Sequence, residues 1–332
     1  MAQSVLVTGG AGYIGSHIVL ALLDADYKVV VLDDLSSGRR ELVPADADFI
    51  EADVGDVAAL DACFDKYDVG AVVHTAGSII VSESVEQPLR YYDNNTAKSR
   101  VLIEACVRAG VGRFIFSSTA AVYGEPAVLP IPETAPLQPI NPYGRSKLAV
   151  EWMLRDADAA HGLRSGILRY FNAAGADPAG RSGQSTPFAT HLIKVASQLV
   201  TGARDHMTIF GDDYPTDDGT CVRDYIHVSD LAAAHLAALA DLEAGGDSFA
   251  LNCGYGRGHS VREVLDAVTA AAGRPLDIRT GRRRAGDPPA LVADVSALRE
   301  RLRWQPRHDD LVDIVRTALA WETRLAGGGR AG

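Results

Sequence analysis

The stretch Val5–Ser16 constrains this chain more than any other. It opens on the apolar run Val5, Leu6, Val7, and Gly9, Gly12 and Gly15 follow at three-residue intervals. Apolar helical spacing begins near Ile14 and continues through Ile18, Leu20, Leu22 and Leu23. This pattern predicts a buried strand, a tight turn and a helix. Glycine serves where the backbone takes positive φ or lets a ligand come close. A helix N-terminus offers free N–H groups and a partial positive charge to a pyrophosphate. The spacing departs from the Gly-x-Gly-x-x-Gly fingerprint, so the reading needs support from its surroundings. Val29–Leu32 supplies it as a second strand ending at Asp33, 18 residues past Gly15. An acid near that distance binds adenosine ribose hydroxyls. Its charge repels a 2′-phosphate, so NAD is expected rather than NADP, with Arg39 and Arg40 close by in sequence.

Further strands are predicted at Phe49–Glu51, Ala71–His74, Phe114–Ser117 and Gly166–Arg169. Helices are predicted between them at Val57–Phe64, Ala97–Ala109 and Tyr143–His161. Alternating strands and helices imply an α/β fold, a Rossmann-type doubly wound parallel sheet with ligands at the carboxyl ends of its strands. Gly9, Asp33, Asp53, Thr75-Ala76-Gly77, Ser117-Ser118-Thr119 and Tyr170-Phe171-Asn172 all fall at such ends. After Asn172 the chain turns rich in Gly, Asp, Pro and Thr, with a helical piece at Phe188–Thr201. Arg223–Val228 reads as a strand and Val228–Leu242 as a helix. The expected organisation is a NAD-binding domain over residues 1–172, a return to it at 223–253, and a smaller α/β substrate domain over most of 173–332.

A chain of 332 residues with net charge −11 accommodates this fold and argues against a nucleic-acid surface. Its one basic island is Arg282, Arg283 and Arg284. Cys63, Cys106, Cys221 and Cys253 show no paired spacing, so neither a metal site nor a disulfide framework is expected, and the thiols point to a reducing cytoplasm. No secretory leader is expected at the N-terminus, and no apolar run has membrane-spanning length.

Tyr143 and Lys147 stand four residues apart near a helix start, on one face. A free tyrosine has a pKa of about 10 and is a poor base at neutral pH. A neighbouring lysine cation favours the phenolate. The hydroxyls Ser117, Ser118 and Thr119 at the end of the fifth strand would bond the reacting oxygen.

With these residues the chain resembles the extended short-chain dehydrogenase/reductases and, within them, the UDP-glucose 4-epimerases, from Val5 to about Trp321. The markers are Thr8–His17, Tyr91–Asn95, Ser117–Gly124, Asn141–Lys147, Arg169–Gly175, Ile209–Thr216, Gly219–Val228 and Arg284–Pro289. The resemblance implies catalysis by Tyr143, Lys147 and Thr119. It implies a cofactor set of Gly9, Gly12, Tyr13, Ile14, Gly15, Asp33, Asp34, Asp53, Val54, Thr75, Ala76, Gly77, Asn94, Ser117, Tyr143, Lys147 and Tyr170. The implied UDP-sugar set is Thr119, Tyr143, Asn172, His191, Leu192, Arg223, Tyr225, Arg284 and Asp287. The implied reaction is epimerisation at sugar C4 through a 4-keto intermediate, with UDP-xylose and UDP-arabinose as alternative substrates.

Two positions depart from the pattern. Ile79 stands where many such enzymes carry a lysine near the pyrophosphate, and Leu291 where a residue gates the sugar pocket. Dehydratases of the same fold need an acidic pair after the threonine, and Ala120 and Ala121 stand there instead. A non-catalytic NAD-binding regulator is the rival from another class, and it would need neither Tyr143 nor Lys147. A homodimer is expected through Ala97–Ala109 and Tyr143–His161, whose apolar residues exceed one buried stripe.

Overall fold

The computed structural model describes residues 3–186, 189–284 and 287–328. The strands are β1 (Ser4–Thr8), β2 (Lys28–Asp33), β3 (Asp48–Glu51), β4 (Val69–His74), β5 (Arg113–Thr119), β6 (Arg164–Tyr170), β7 (Asn172–Ala174), β8 (Met207–Phe210), β9 (Val222–His227), β10 (Phe249–Cys253), β11 (Gly258–Ser260), β12 (Ile278–Gly281) and β13 (Ala290–Leu291). The helices are α1 (Tyr13–Asp24), α2 (Val57–Lys66), α3 (Val81–Glu86), α4 (Pro88–Tyr91), α5 (Lys98–Ala109), α6 (Pro142–His161), α7 (Leu192–Thr201), α8 (Val228–Glu243), α9 (Val261–Ala272), α10 (Ser296–Leu302) and α11 (Leu311–Gly328).

Strand alternation sorts the apolar residues into two cores. Val5, Val7, Val29, Val31 and Ile115 pack with α1 and α8 on one face of the sheet. Leu6, Val30, Leu32, Phe114 and Phe116 pack with α2, α5 and α6 on the other. The result is a seven-stranded parallel sheet in the order β10-β6-β5-β4-β1-β2-β3. The order reverses between β1 and β4, and the β1 and β4 ends open the crevice where doubly wound folds bind ligands.

Caps place the helices. Asn141 Oδ1 accepts the Gly144 amide at 2.9 Å, and Pro142 begins α6, so Tyr143 falls in its first turn. Asp56 caps α2 by accepting the Ala58 and Ala59 amides. By contrast α1 starts at Gly12 with no side-chain cap, leaving its first N–H groups free.

The second half forms a four-stranded sheet around β9, which pairs β7, β11 and β13, and a parallel pair β8–β12. Within 223–253, β9 belongs to this smaller sheet, whereas α8 and β10 join the large one. The helical piece expected at Phe188–Thr201 begins only at Leu192, because residues 189–191 are irregular and Phe188 lies outside the described residues. A π-helical turn at Tyr92–Ala97 precedes α5, so the regular helix starts one residue later than expected.

Candidate active site

The glycine turn divides its labour. Gly9 has φ +73°, and a Cβ there would meet Ala76 N at 2.6 Å. A Cβ at Gly15 would meet Gly9 O at 2.1 Å, so this glycine lets α1 sit against the turn. At Gly12 a Cβ would meet only Gly9 O, at 3.2 Å. That side is open, directly over the uncapped start of α1, and it fits a dinucleotide pyrophosphate. Tyr13 turns inward instead, and its hydroxyl donates to Gly175 O at 2.7 Å.

Asp33 ends β2 with both carboxylate oxygens engaged, Oδ2 by the Ala11 amide and Oδ1 by the Leu35 amide, each at 2.9 Å. Burial pushes its acid up, and the two amides oppose this. Asp34 is exposed, and its carboxylate accepts from Ser36. Arg39 donates to Ser185 O and Arg40 lies over the Phe49 ring. At the β3 end Asp53 pairs with Lys98 and accepts the Gly55 amide. Burial alone would raise this acid, but those contacts hold it below the usual carboxylate range. Val54 beside it is buried.

Thr75, Ala76 and Gly77 leave β4 over the turn, with Thr75 Oγ1 donating to Thr8 O at 2.7 Å. Asn94 donates to Ser78 Oγ at 2.9 Å, but the buried anchor is its neighbour. Asn95 accepts the Ser78 amide at 2.7 Å and donates to Ser78 O and Ser146 Oγ. The π-helical turn sets these two asparagines side by side on the loop, where regular helical spacing alone would not suggest it.

Tyr143 is buried close to Thr119, whose hydroxyl draws its pKa down. Lys147 Nζ donates to Ser117 O at 3.1 Å and sits 4.9 Å from the Phe116 ring centre. Burial lowers Lys147 to about 8. Burial also pushes the Tyr143 phenol above its ordinary value, and Thr119 supplies the downward pull. Proximity of a lysine is therefore not enough to make the phenolate here, because both charged forms carry a desolvation cost. Ser117 Oγ stands 2.9 Å from His235 Nε2, while Tyr170 is half-buried with its ring near His235.

Toward the second lobe, Asn172 and Tyr225 are register partners on β7 and β9. A narrow cavity opens beside Asn172, Tyr225, His191 and Leu192. His191 Nδ1 lies 2.7 Å from Gln184 Nε2, and burial lowers its pKa. Arg223 Nη2 lies 3.7 Å from Asp287 Oδ1. Arg284 is exposed and stacks its guanidinium 3.9 Å from the Phe210 ring centre. Sequence reasoning missed the buried Glu151, which Ser118 and Arg169 contact one turn further along the catalytic helix. The signal was available: Glu151 follows Lys147 by one further helical turn on the same face.

A doubly wound sheet with this turn, a terminal acid on β2 and a Tyr–Lys pair at the end of β5 defines an extended short-chain dehydrogenase/reductase fold. The family described as NAD dependent epimerase/dehydratase matches residues 5–254, and the chain belongs to it. A UDP-glucose 4-epimerase of Azospirillum brasilense is 60% identical over 321 residues, covering 97% of this chain and 92% of that protein. The crystal structure of UDP-glucose 4-epimerase from Brucella ovis in complex with NAD superposes with a TM-score of 0.94. It is 46% identical and covers 97% of this chain and 99% of that one. The Stenotrophomonas maltophila UDP-glucose-4-epimerase, solved with bound NAD and formylated UDP-arabinopyranose, is similar at TM-score 0.94 and 38% identity. That match covers 98% of this chain and 99% of that one.

Proposed function

We propose that this chain is an NAD-dependent enzyme that epimerises UDP-sugars at C4, interconverting UDP-glucose and UDP-galactose, with Tyr143 moving the proton. The observation that carries the assignment of roles is the buried Tyr143 phenol, close to the buried Thr119 and one helical turn from Lys147, which is anchored on Ser117 O. When bound, NAD would supply a reversible hydride acceptor for sugar C4. Tyr143 takes the proton of the 4-hydroxyl and later returns it to the 4-keto oxygen. Thr119 holds that oxygen, and Lys147 offers its ammonium to the nicotinamide ribose. Gly12 and the free N–H groups of α1 receive the pyrophosphate, and Asp33 receives the adenosine ribose hydroxyls. The Asp33 carboxylate, which would repel a 2′-phosphate, favours NAD over NADP. Arg223 and Arg284 bind the substrate diphosphate, for which the planar guanidinium is suited. Asn172, His191, Leu192, Tyr225 and Asp287 surround the nucleotide end.

UDP-xylose and UDP-arabinose are a second substrate pair, favoured by Leu291, which offers the sugar no hydroxyl. We place the reaction in the cytoplasm, in keeping with four buried unpaired thiols. Among the described residues no helix is long and apolar enough to cross a membrane.

We also propose a homodimer. The outer face of α5 is less apolar than its sequence suggested, because Arg100, Glu104 and Arg108 occupy it in ion pairs. Exposed apolar residues nearby include Trp152 on α6, Val81 and Val85 on α3 and Leu89 on α4, and α3 and α4 pack on α6. A coupled assay for UDP-galactose formation from UDP-glucose tests the reaction. Absence of turnover in NAD-loaded protein would favour the regulator.

A further inference from the structure

We propose that Glu151 is a positioning residue for the reaction: paired with Arg169, it locks α6 against β5 and so fixes where Tyr143 and Lys147 stand. The proposal rests on the catalytic roles assigned above and extends them. Tyr143, Lys147 and Glu151 follow one another at single-turn spacing along one face of α6. Three consecutive residues at the end of β5 meet them. The Ser117 carbonyl accepts Lys147 Nζ at 3.1 Å, Ser118 Oγ donates to Glu151 Oε1 at 2.6 Å, and Thr119 lies close to the Tyr143 hydroxyl. The middle contact, Ser118 with Glu151, is thus made by residues that touch no reacting group.

Glu151 has no exposed surface, and Arg169 is 1% exposed. Arg169 grips the carboxylate with a fork, Nε to Oε1 at 3.0 Å and Nη2 to Oε2 at 2.6 Å. The register of the sheet sets this up, because Ser118 on β5 and Arg169 on β6 are direct partners and face α6 together. The remaining Arg169 nitrogen donates to the Tyr123 hydroxyl at 2.9 Å, which donates to Asn252 Oδ1 at 2.7 Å. The carboxylate is therefore held from β5 and β6, while its Arg169 partner is tied through Tyr123 to β10.

Stability is a weak reason for such a pair. Replacing a buried ion pair with apolar residues of similar volume is often neutral or stabilising. An apolar helix face can slide or rotate at small cost, whereas a bidentate fork accepts one geometry. Precision in the helix matters for the chemistry, since a misplacement of about 1 Å can cost about 100-fold in rate.

The test compares the parental protein with the double variant Glu151→Leu/Arg169→Met, which removes both charges, and with Ser118→Ala, which removes one bond to the carboxylate. Thermal midpoints, kcat and KM for UDP-glucose, and amide hydrogen exchange across α6 are measured on all three. The expected result is a folded double variant with KM close to parental, kcat lower by roughly 10- to 100-fold, and faster exchange at residues 143–151. Ser118→Ala should move kcat and exchange the same way by a smaller factor. A folded double variant with parental kcat and parental exchange in α6 would overturn the proposal. Should the double variant not fold, parental kcat and exchange in Ser118→Ala would overturn it. An inactive parental protein would defeat the epimerase reading, and the exchange comparison would still decide whether Glu151 and Arg169 position α6.

Discussion

Asp33 Oδ2 accepts the backbone amide of Ala11 at 2.9 Å, so the acid that ends β2 also holds the middle of the glycine turn. A carboxylate oxygen can accept more than one hydrogen bond, and this one can serve the turn and a ribose together. Two substitutions separate the roles. Asp33→Asn keeps one oxygen acceptor and removes the charge, so NAD binding should fall modestly and the preference for NAD over NADP should shrink. Asp33→Ala also releases the turn, so both dinucleotides should bind more weakly. Titration of both cofactors against both variants checks this. An unchanged preference in Asp33→Asn would show that the charge does not select the cofactor.

Tyr143→Phe keeps the ring and removes the proton carrier. A positioned general base contributes about 10²–10⁴-fold. Turnover should fall by that order while UDP-glucose binds nearly as before, which calorimetry on the inactive protein can measure. Parental turnover in this variant would end the assignment of Tyr143.

Lys147 gives a pH prediction. Burial lowers it to about 8, against about 10.4 in an unfolded chain. Between those values the unfolded chain binds more protons, so stability rises with pH across that window. Below the window both states hold the proton, and burying the charge costs roughly 3 kcal/mol. The hydrogen bond to Ser117 O returns about 1 kcal/mol. Lys147→Met should therefore be the more stable protein at pH 7 in cofactor-free form, although poorly active. Its advantage should shrink as pH rises from about 8 to about 10.4. Denaturant melts at three pH values decide this, and a variant less stable at pH 7 would contradict the cost assigned to burial.

The large sheet was legible because each of its first six strands ends in residues with a chemical signature, and because Val29 to Leu32 alternate between two cores. Asp33, Tyr143 and Lys147 were legible for the same reason: local spacing carries them. The pull on Tyr143 was not, since it depends on desolvation and on Thr119, neither of which spacing measures. Asn95 was hidden by a π-helical turn that regular periodicity does not anticipate. The role of Glu151 required the register between Ser118 and Arg169, residues about 50 positions apart in the chain, and strand register is a tertiary property.

The sugar pocket offers the last prediction. Leu291 lies on β13 opposite Arg223 and packs with Val122, Tyr123, Ile131 and Leu148. Ile131 in turn donates its amide to Val292 O at 2.8 Å, so the chain beside Leu291 is tied to the segment covering the catalytic helix. On the reading that Leu291 walls the sugar pocket, a side chain held this way cannot swing aside to admit a bulkier sugar. UDP-glucose and UDP-galactose should turn over, and N-acetylated sugars, larger at C2, should be poorer. Leu291→Gly removes the wall, and its backbone, bonded through its neighbour, should stay in place. Discrimination of this steric kind is worth about 1–3 kcal/mol, so kcat/KM for UDP-N-acetylglucosamine relative to UDP-glucose should rise roughly 10-fold or more. UDP-xylose, which lacks the C6 hydroxymethyl group, should gain less, because it meets less resistance in the parental pocket. Measuring kcat/KM for all three sugars in both proteins checks the idea. An unchanged N-acetylglucosamine ratio would show that Leu291 does not set the size limit of the pocket.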